Sequence, residues 1–113
     1  MIETTASERH DWQQQSHAVL GRLLDRAHDE GLPVIAWTIT DAGAGPLIVG
    51  NCYAPDPIQR RHDFETWAEI LQATAWPNGI QRDGVFRLHA HSNGFDGAVS
   101  VSVSAEFATD ETS

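Results

Sequence analysis

The sequence predicts an α+β fold in which two helices pack on one face of a four-stranded antiparallel sheet. Residues 97–107, GAVSVSVSAEF, alternate apolar and polar side chains without a break, which is the period-two pattern of a strand with one buried and one wet face. Two amphipathic stretches of helical period each precede a pair of β-rich segments, so the element order is α-β-β-α-β-β. The connection within each pair is too short for a crossover, which makes each pair a hairpin. Two layers around one core follow from this order.

The first helix is predicted from its ends and from its apolar stripe. Thr5 and Glu8 have the spacing of a capping box, while Gly31 and Pro33 supply the signals that end a helix. The stripe at helical spacing consists of Trp12, Val19, Leu20, Leu23, Leu24 and Ala27.

A hairpin is predicted next, with strands at 33–40 and 47–53 joined by a turn at 41–46. The side chains that share a face are Ile35, Trp37 and Ile39 in the first strand, and Leu47, Val49 and Tyr53 in the second. The glycine-rich turn lacks the lysine and the following helix of a phosphate-binding loop, so we interpret it as a turn only.

The second half repeats this order. Asp56 suits a helix N-cap and Pro57 the first helical position, and residues 77–79 stop the helix. Its predicted buried stripe is Phe64, Trp67, Ala68, Leu71 and Ala75. Strands at 84–91 and 97–107 then enclose a turn at 92–97. The whole chain is one domain, and residues 1–5 and 108–113 are predicted to be disordered tails.

Composition excludes several classes of function. The 113 residues carry seven arginines, no lysine and sixteen acidic side chains, for a net charge of −9, which disfavours direct nucleic-acid binding and attachment to anionic membrane. The negative charge is consistent with three roles, which are to keep the protein soluble, to bind a basic protein through an acidic surface, or to mimic nucleic acid. No secretion signal or membrane-length apolar run occurs, so a cytoplasmic protein is expected. The single cysteine, Cys52, excludes an internal disulfide and is predicted to be a passive thiol.

The best candidate site is a row of polar side chains on the third strand. Phe86, Leu88 and Ala90 should face the helices, which places Arg87, His89 and His91 together on the opposite face. If the last strand pairs beside it, the residues that line the same surface are Ser100, Ser102 and Ser104. This surface has three interpretations, namely a solvated sheet face, a protein interface, or a metal or catalytic site.

The metal interpretation depends on the two histidines alone. Side chains at i and i+2 on a strand can reach one ion, but a metal site needs a third ligand, for which Asp96, His62 and Asp63 are only guesses. We therefore predict no bound metal and no cofactor.

Two further features bear on an interface. Trp76 precedes the end of the second helix and is a candidate rim anchor. Six histidines in a chain this short make an interface that responds to pH an alternative to ordinary surface histidines.

The run RRHDFETWAEILQATAWP, which follows a hairpin and a Pro-Asp-Pro segment, resembles small acidic actinobacterial α+β proteins of unknown function. The resemblance covers most of the chain in layout and contains no catalytic motif. It implies a bacterial cytoplasmic protein, with a phage or mobile element as one source, and it transfers no site residues.

The function predicted from these observations is a small cytoplasmic module, not an enzyme, that binds or regulates another protein through the sheet face. A second copy of the chain is an alternative partner, joined weakly through sheet edges or helix surfaces. The alternative functions are a metal-assisted hydrolase that uses His89 and His91, and an acidic inhibitor that mimics nucleic acid.

Overall fold

The computed structural model describes residues 6–41, 45–75, 80–96 and 99–108, with only the backbone of residues 41, 80, 82 and 93–96. It confirms the α+β class. The helices are α1 (Ala6–Glu30) and α2 (Pro57–Ile70). The strands are β1 (Ala36–Asp41), β2 (Pro46–Cys52), β3 (Thr74–Ala75), β4 (Ile80–Arg82), β5 (Val85–Asp96) and β6 (Val99–Ala108). Of the predicted tails at 1–5 and 108–113, residues 1–5 and 109–113 lie outside the described residues, whereas Ala108 belongs to β6 and not to a tail.

The prediction of a four-stranded antiparallel sheet is wrong in its detail. The sheet has the order β1-β2-β6-β5-β3, with β4 also paired to β5, and β2 runs parallel to β6. The second hairpin therefore joins the first through its last strand, β6, and not through β5. β6 suits the central position because small and β-branched side chains fill both of its faces, whereas β5 carries Arg87, His89 and His91.

Both helices lie on the face of the sheet that carries the odd-numbered residues of β6. Val101 and Val103 are fully buried there, in one cluster with Val19 and Leu23 of α1 and with Trp67 of α2. The opposite face of the first hairpin is exposed along β1 and only half-buried on β2, so no described helix covers it. The predicted two-layer arrangement is therefore present.

A close approach between backbone and aromatic rings fixes the packing of the first hairpin. A Cβ at Gly50 would lie 2.7 Å from Ile35 Cδ1 and 2.8 Å from Trp37 Cζ3, so only glycine leaves room for these side chains. Trp37 in turn meets Trp67 edge to face, with ring centroids 5.1 Å apart. The Trp67 indole Nε1 donates to the Pro33 carbonyl oxygen at 2.8 Å, which holds the 31–35 segment against α2.

The helix ends follow local chemistry. α1 stops before Gly31, which has φ 65°, as the sequence predicts. Asp56 caps α2, because its Oδ1 accepts from the Ile58 backbone N–H at 3.1 Å. α2 ends at Ile70, earlier than expected, and the chain turns at Gln72 with φ 52° into β3. Ala75 therefore belongs to β3 and not to the helical stripe.

Two strands were not predicted, and β5 is longer than expected. β4 and β5 form a hairpin in which Arg82 pairs with Val85, so Asp83 and Gly84 are its two-residue loop. Their φ values of 51° and 77° match the tight turn that favours Asp-Gly. β5 continues to Asp96 through most of the predicted turn at 92–97, with a register irregularity between Ser92 and Asp96.

Within the described ranges, neither helix combines the length and the apolar character needed to cross a membrane.

Candidate functional site

The sheet face opposite to the helices, called here the open face, brings together most of the predicted site residues. Across the β5–β6 pair, Arg87 is opposite Glu106, His89 opposite Ser104, and His91 opposite Ser102. Ser100 continues the same row and is opposite Leu47 of β2. Trp76, the predicted rim anchor, lies outside the described residues.

The three pairs between β5 and β6 are direct polar contacts. His89 Nδ1 and Ser104 Oγ form a hydrogen bond of 2.9 Å, and His91 Nδ1 and Ser102 Oγ form one of 2.7 Å. Arg87 and Glu106 form an ion pair at the exposed end of the row. Three successive pairs along this face thus hold the side chains of the two strands in a defined arrangement, which reduces the side-chain entropy that these residues would lose on being covered.

The serines are not exposed, which corrects the prediction of a wet serine row. Ser102 is 3% and Ser104 is 5% exposed, while Ser100 is half-buried. The cause is the central position of β6, because His91 and His89 flank these short side chains on one side and β2 residues flank them on the other. The small side chains of β6 therefore lie between larger side chains of β5 and β2.

The other half of the open face is neutral. Ala36, Thr38 and Thr40 of β1 are exposed, and Leu47 and Val49 of β2 are half-buried. Leu47 and Val49 do share a face as predicted, but the core face of β2 is formed by Ile48, Gly50 and Cys52. The open face therefore changes from neutral and partly apolar on the first hairpin to charged and imidazole-bearing on β5.

The environment of His89 favours its neutral form. Partial burial lowers the pKa of His89 below its ordinary 6.5, and the nearby His91 and Arg87 lower it further because each would repel a second positive charge. Glu106, paired with Arg87, is the acidic side chain of this row. Near neutral pH this imidazole is therefore expected to act as a hydrogen-bonding group and not as a cation.

The two imidazoles are parallel instead of convergent. Their ring planes differ by 13° and their centroids are 6.4 Å apart. A zinc ion needs each ligating nitrogen at about 2.0–2.1 Å, so both rings would have to tilt toward a common point. In the described part of the chain no group of three His, Cys, Asp or Glu side chains is placed to hold a metal. His62 and Asp63, two of the guessed third ligands, are on α2, in the other layer.

Cys52 is on the core face of β2 and is 6% exposed. Burial raises the pKa of its thiol to about 12, and the nearby Asp63 carboxylate adds to the rise. A thiol with this pKa is protonated and inert at neutral pH, which agrees with the prediction of a passive cysteine.

A second feature, which sequence reasoning missed, is a cleft of about 430 Å³ between the 31–34 segment and α2. Pro33 and Val34 form one side, and Gln59, His62, Asp63 and Thr66 form the other. Asp63 is only 5% exposed, and Gln59 Nε2 donates to its Oδ1 at 2.7 Å. The sequence contains one indication of this feature. Asp63 lies four residues before Trp67 on the buried stripe of α2, where a carboxylate is unusual.

Comparison with known proteins adds no family to this description. The chain matches no family model, no curated protein and no solved structure.

Proposed function

We propose that this protein is a small cytoplasmic module, not an enzyme, that binds or regulates another protein through its open face. The observation that carries the proposal is the sheet face without a described helix, on which cross-strand pairs fix the polar side chains of β5 and β6. A surface that is ordered before binding loses little side-chain entropy when a partner covers it.

The distribution of charge supports the open face, and not the helical layer, as the contact surface. The chain has a net charge of −9, yet the only acidic side chain among the described ones of the open face is Glu106, which is paired with Arg87. Five of the acidic residues lie on α1 alone, namely Glu8, Asp11, Asp25, Asp29 and Glu30. An acidic protein partner can therefore approach the open face with less electrostatic repulsion than the helical layer would cause.

The composition of the face also suits protein contact. The buried Ser102 and Ser104 lie between the imidazoles of β5 and the half-buried side chains of β2, so polar and partly apolar side chains are adjacent on this face. Protein interfaces combine a desolvated, partly apolar centre with a polar rim. The neutral first hairpin and the charged residues of β5 supply these two parts.

The burial of the serines supports a binding role over a nucleophilic one. Each Ser–His pair has the composition of a nucleophile with its base, but a nucleophile must reach its substrate. Ser102 and Ser104 are nearly inaccessible. Their hydroxyls are better placed to orient the imidazoles.

The test uses a photo-crosslinking amino acid at Thr38, which is exposed on the open face, and at Glu65, which is exposed on α2. In extracts of the native host, we expect the probe at Thr38 to crosslink a specific protein and the probe at Glu65 not to crosslink it. With the partner purified, Thr38→Arg should weaken binding at least tenfold, and the matched Glu65→Arg should leave it unchanged. Crosslinking from Glu65 alone, or equal binding by both variants, would reject the open face as the contact surface.

A further inference from the structure

The cleft between the 31–34 segment and α2, called here the Asp63 cleft, contains a buried carboxylate that is paired with no cation among the described residues. In the residues that the structure describes, the only hydrogen-bond donor to Asp63 is the neutral Gln59 amide, and no arginine or histidine lies within ion-pair distance. Asp is almost never this buried unless it is paired, because desolvating the charge costs several kcal/mol. A cation that bound in the cleft would pair with this carboxylate and offset the cost of its burial.

The nearest cations on α2 are engaged elsewhere. Arg60 donates to the carbonyl oxygens of Ala54, Pro55 and Glu106 at 2.8–3.0 Å, and it lies over the Phe107 ring. Arg61 also lies over that ring, 5.3–5.4 Å from the centroid in both cases. These contacts direct both guanidinium groups toward the end of β6.

The walls of the cleft add an apolar surface to this charge. Val34 is 81% exposed, an unusual state for valine, and Pro33 beside it is held to α2 through the Trp67 indole. On the opposite wall, Thr66 Oγ1 donates to the His62 carbonyl oxygen at 2.9 Å, so the Thr66 hydroxyl is oriented by the backbone of α2. A cation on an aliphatic chain would place its charge at Asp63 and its methylenes against Val34 and Pro33.

We propose that this cleft binds an alkyl guanidinium, as in an arginine side chain or a small arginine-like metabolite, with Asp63 as its counter-ion. Guanidinium is favoured over ammonium because it is more weakly hydrated and loses less solvation when it contacts a carboxylate this buried. Its planar fork also matches a carboxylate that still has acceptor positions open after the Gln59 contact. This site is in the helical layer and does not depend on the proposed role of the open face.

The experiment titrates the ¹⁵N-labelled protein with Nα-acetyl-arginine methylamide and follows the backbone amides of Val34, Gln59 and Thr66. We expect saturable shifts at these residues. The citrulline analogue, which has the same shape without the charge, should bind at least tenfold more weakly, and the lysine analogue should also bind more weakly than arginine. Asp63→Asn should weaken arginine binding at least tenfold, whereas Glu65→Gln, which removes an exposed charge from the same helix, should not.

The remaining outcomes decide against the proposal or refine it. Absence of saturable shifts, or equal binding of the citrulline analogue, overturns it without any variant. Equal loss in Asp63→Asn and Glu65→Gln would show attraction to the net charge and overturn it as well. A Gly-Gly-Arg-Gly-Gly peptide that binds at least tenfold tighter than the blocked amino acid would identify an arginine-bearing protein as the ligand. Equal affinity would identify a small molecule.

Discussion

At the scale of the residue, Gly50 determines how the helical layer meets the sheet. Because Gly50 has no side chain, Ile35 and Trp37 can pack directly against its backbone. Trp37 in this position contacts the indole of Trp67 on α2. No rotamer change at position 50 can relieve a Cβ contact of 2.7 Å, so the neighbours would have to move.

We therefore expect Gly50→Ala to lower the free energy of unfolding by about 1–3 kcal/mol through overpacking. The control is Gly21→Ala in α1, where a Cβ would meet nothing within 4 Å. That change should raise the free energy of unfolding by about 0.5–1 kcal/mol, because alanine is the better helix former. Urea unfolding measures both, and a loss at Gly21 equal to that at Gly50 would contradict the packing described here.

Neighbouring residues of β6 should respond differently to a carboxylate. Val101→Asp is expected to unfold the protein, since Val101 is fully buried and an unpaired charge there costs several kcal/mol of a total of about 5–15. The sequence alone predicts almost no cost for Ser102→Asp. Because Ser102 is buried and bonded to His91, we now expect a loss of about 1–3 kcal/mol. A thermal melt of Ser102→Asp that matches the wild type would restore the original view of a wet face.

The lowered pKa of His89 predicts how the stability of the protein depends on pH. A folded-state pKa of His89 below 6.5 means that the unfolded chain takes up the proton first as the pH falls. The contribution of His89 is therefore complete above about pH 6.5 and is lost as the pH falls through its lowered folded-state pKa. Chemical unfolding at several pH values should show this decline, and His89→Gln should reduce it. An unchanged slope in His89→Gln would assign the decline to other groups.

At the scale of the element, helix ends and strand phases were predictable because they depend on neighbours in sequence. Asp56, Gly31 and the alternation of β5 and β6 all act within a few residues. The pairing of β2 with β6 was not predictable in this way, since either β5 or β6 could have paired with the first hairpin. The central position of β6 follows from burial on both faces, which is a property of the assembled sheet.

Short-range signals were also overlooked. The Asp83–Gly84 dipeptide is a strong hairpin signal, but β4 before it is only three residues long. The burial of Ser102 and Asp63 could not be read from composition, because it is set by larger side chains from distant elements.

The cap of α2 allows a test at this scale. Asp56→Ala should lower the free energy of unfolding by about 0.5–2 kcal/mol, because the Ile58 N–H loses its acceptor at the start of the helix. Glu65→Ala, at an exposed position within the same helix, is the control and should change stability by less than about 0.5 kcal/mol. Similar losses from both variants would mean that the cap contributes nothing specific.

At the scale of the whole molecule, the sheet has two unlike edges. β1 offers six residues at one edge, while β3 and β4 divide the other edge into pieces of two and three residues. An edge strand presents unpaired backbone groups to another chain, and the longer edge offers more of them. If two copies associate weakly, as the sequence predicts, β1 is the favoured contact.

Light scattering over a range of concentration and pH tests this association. We expect a dimer that dissociates on dilution and that loosens below about pH 6 if imidazoles near the contact become charged. A strict monomer at high concentration would reject the dimer, and a dimer unaffected by pH would reject only the part played by histidine.

The central claim is that β6 lies between β2 and β5 and that His89 and His91 occupy a face that the helices leave open. Nuclear Overhauser contacts in the isolated protein test it directly. We predict cross-strand contacts in parallel register between Ile48 and Val101, and contacts from the His91 ring to Ser102 but to no residue of α1 or α2. Contacts between β2 and β5, or between either imidazole and a helix, would contradict both the fold and the open face.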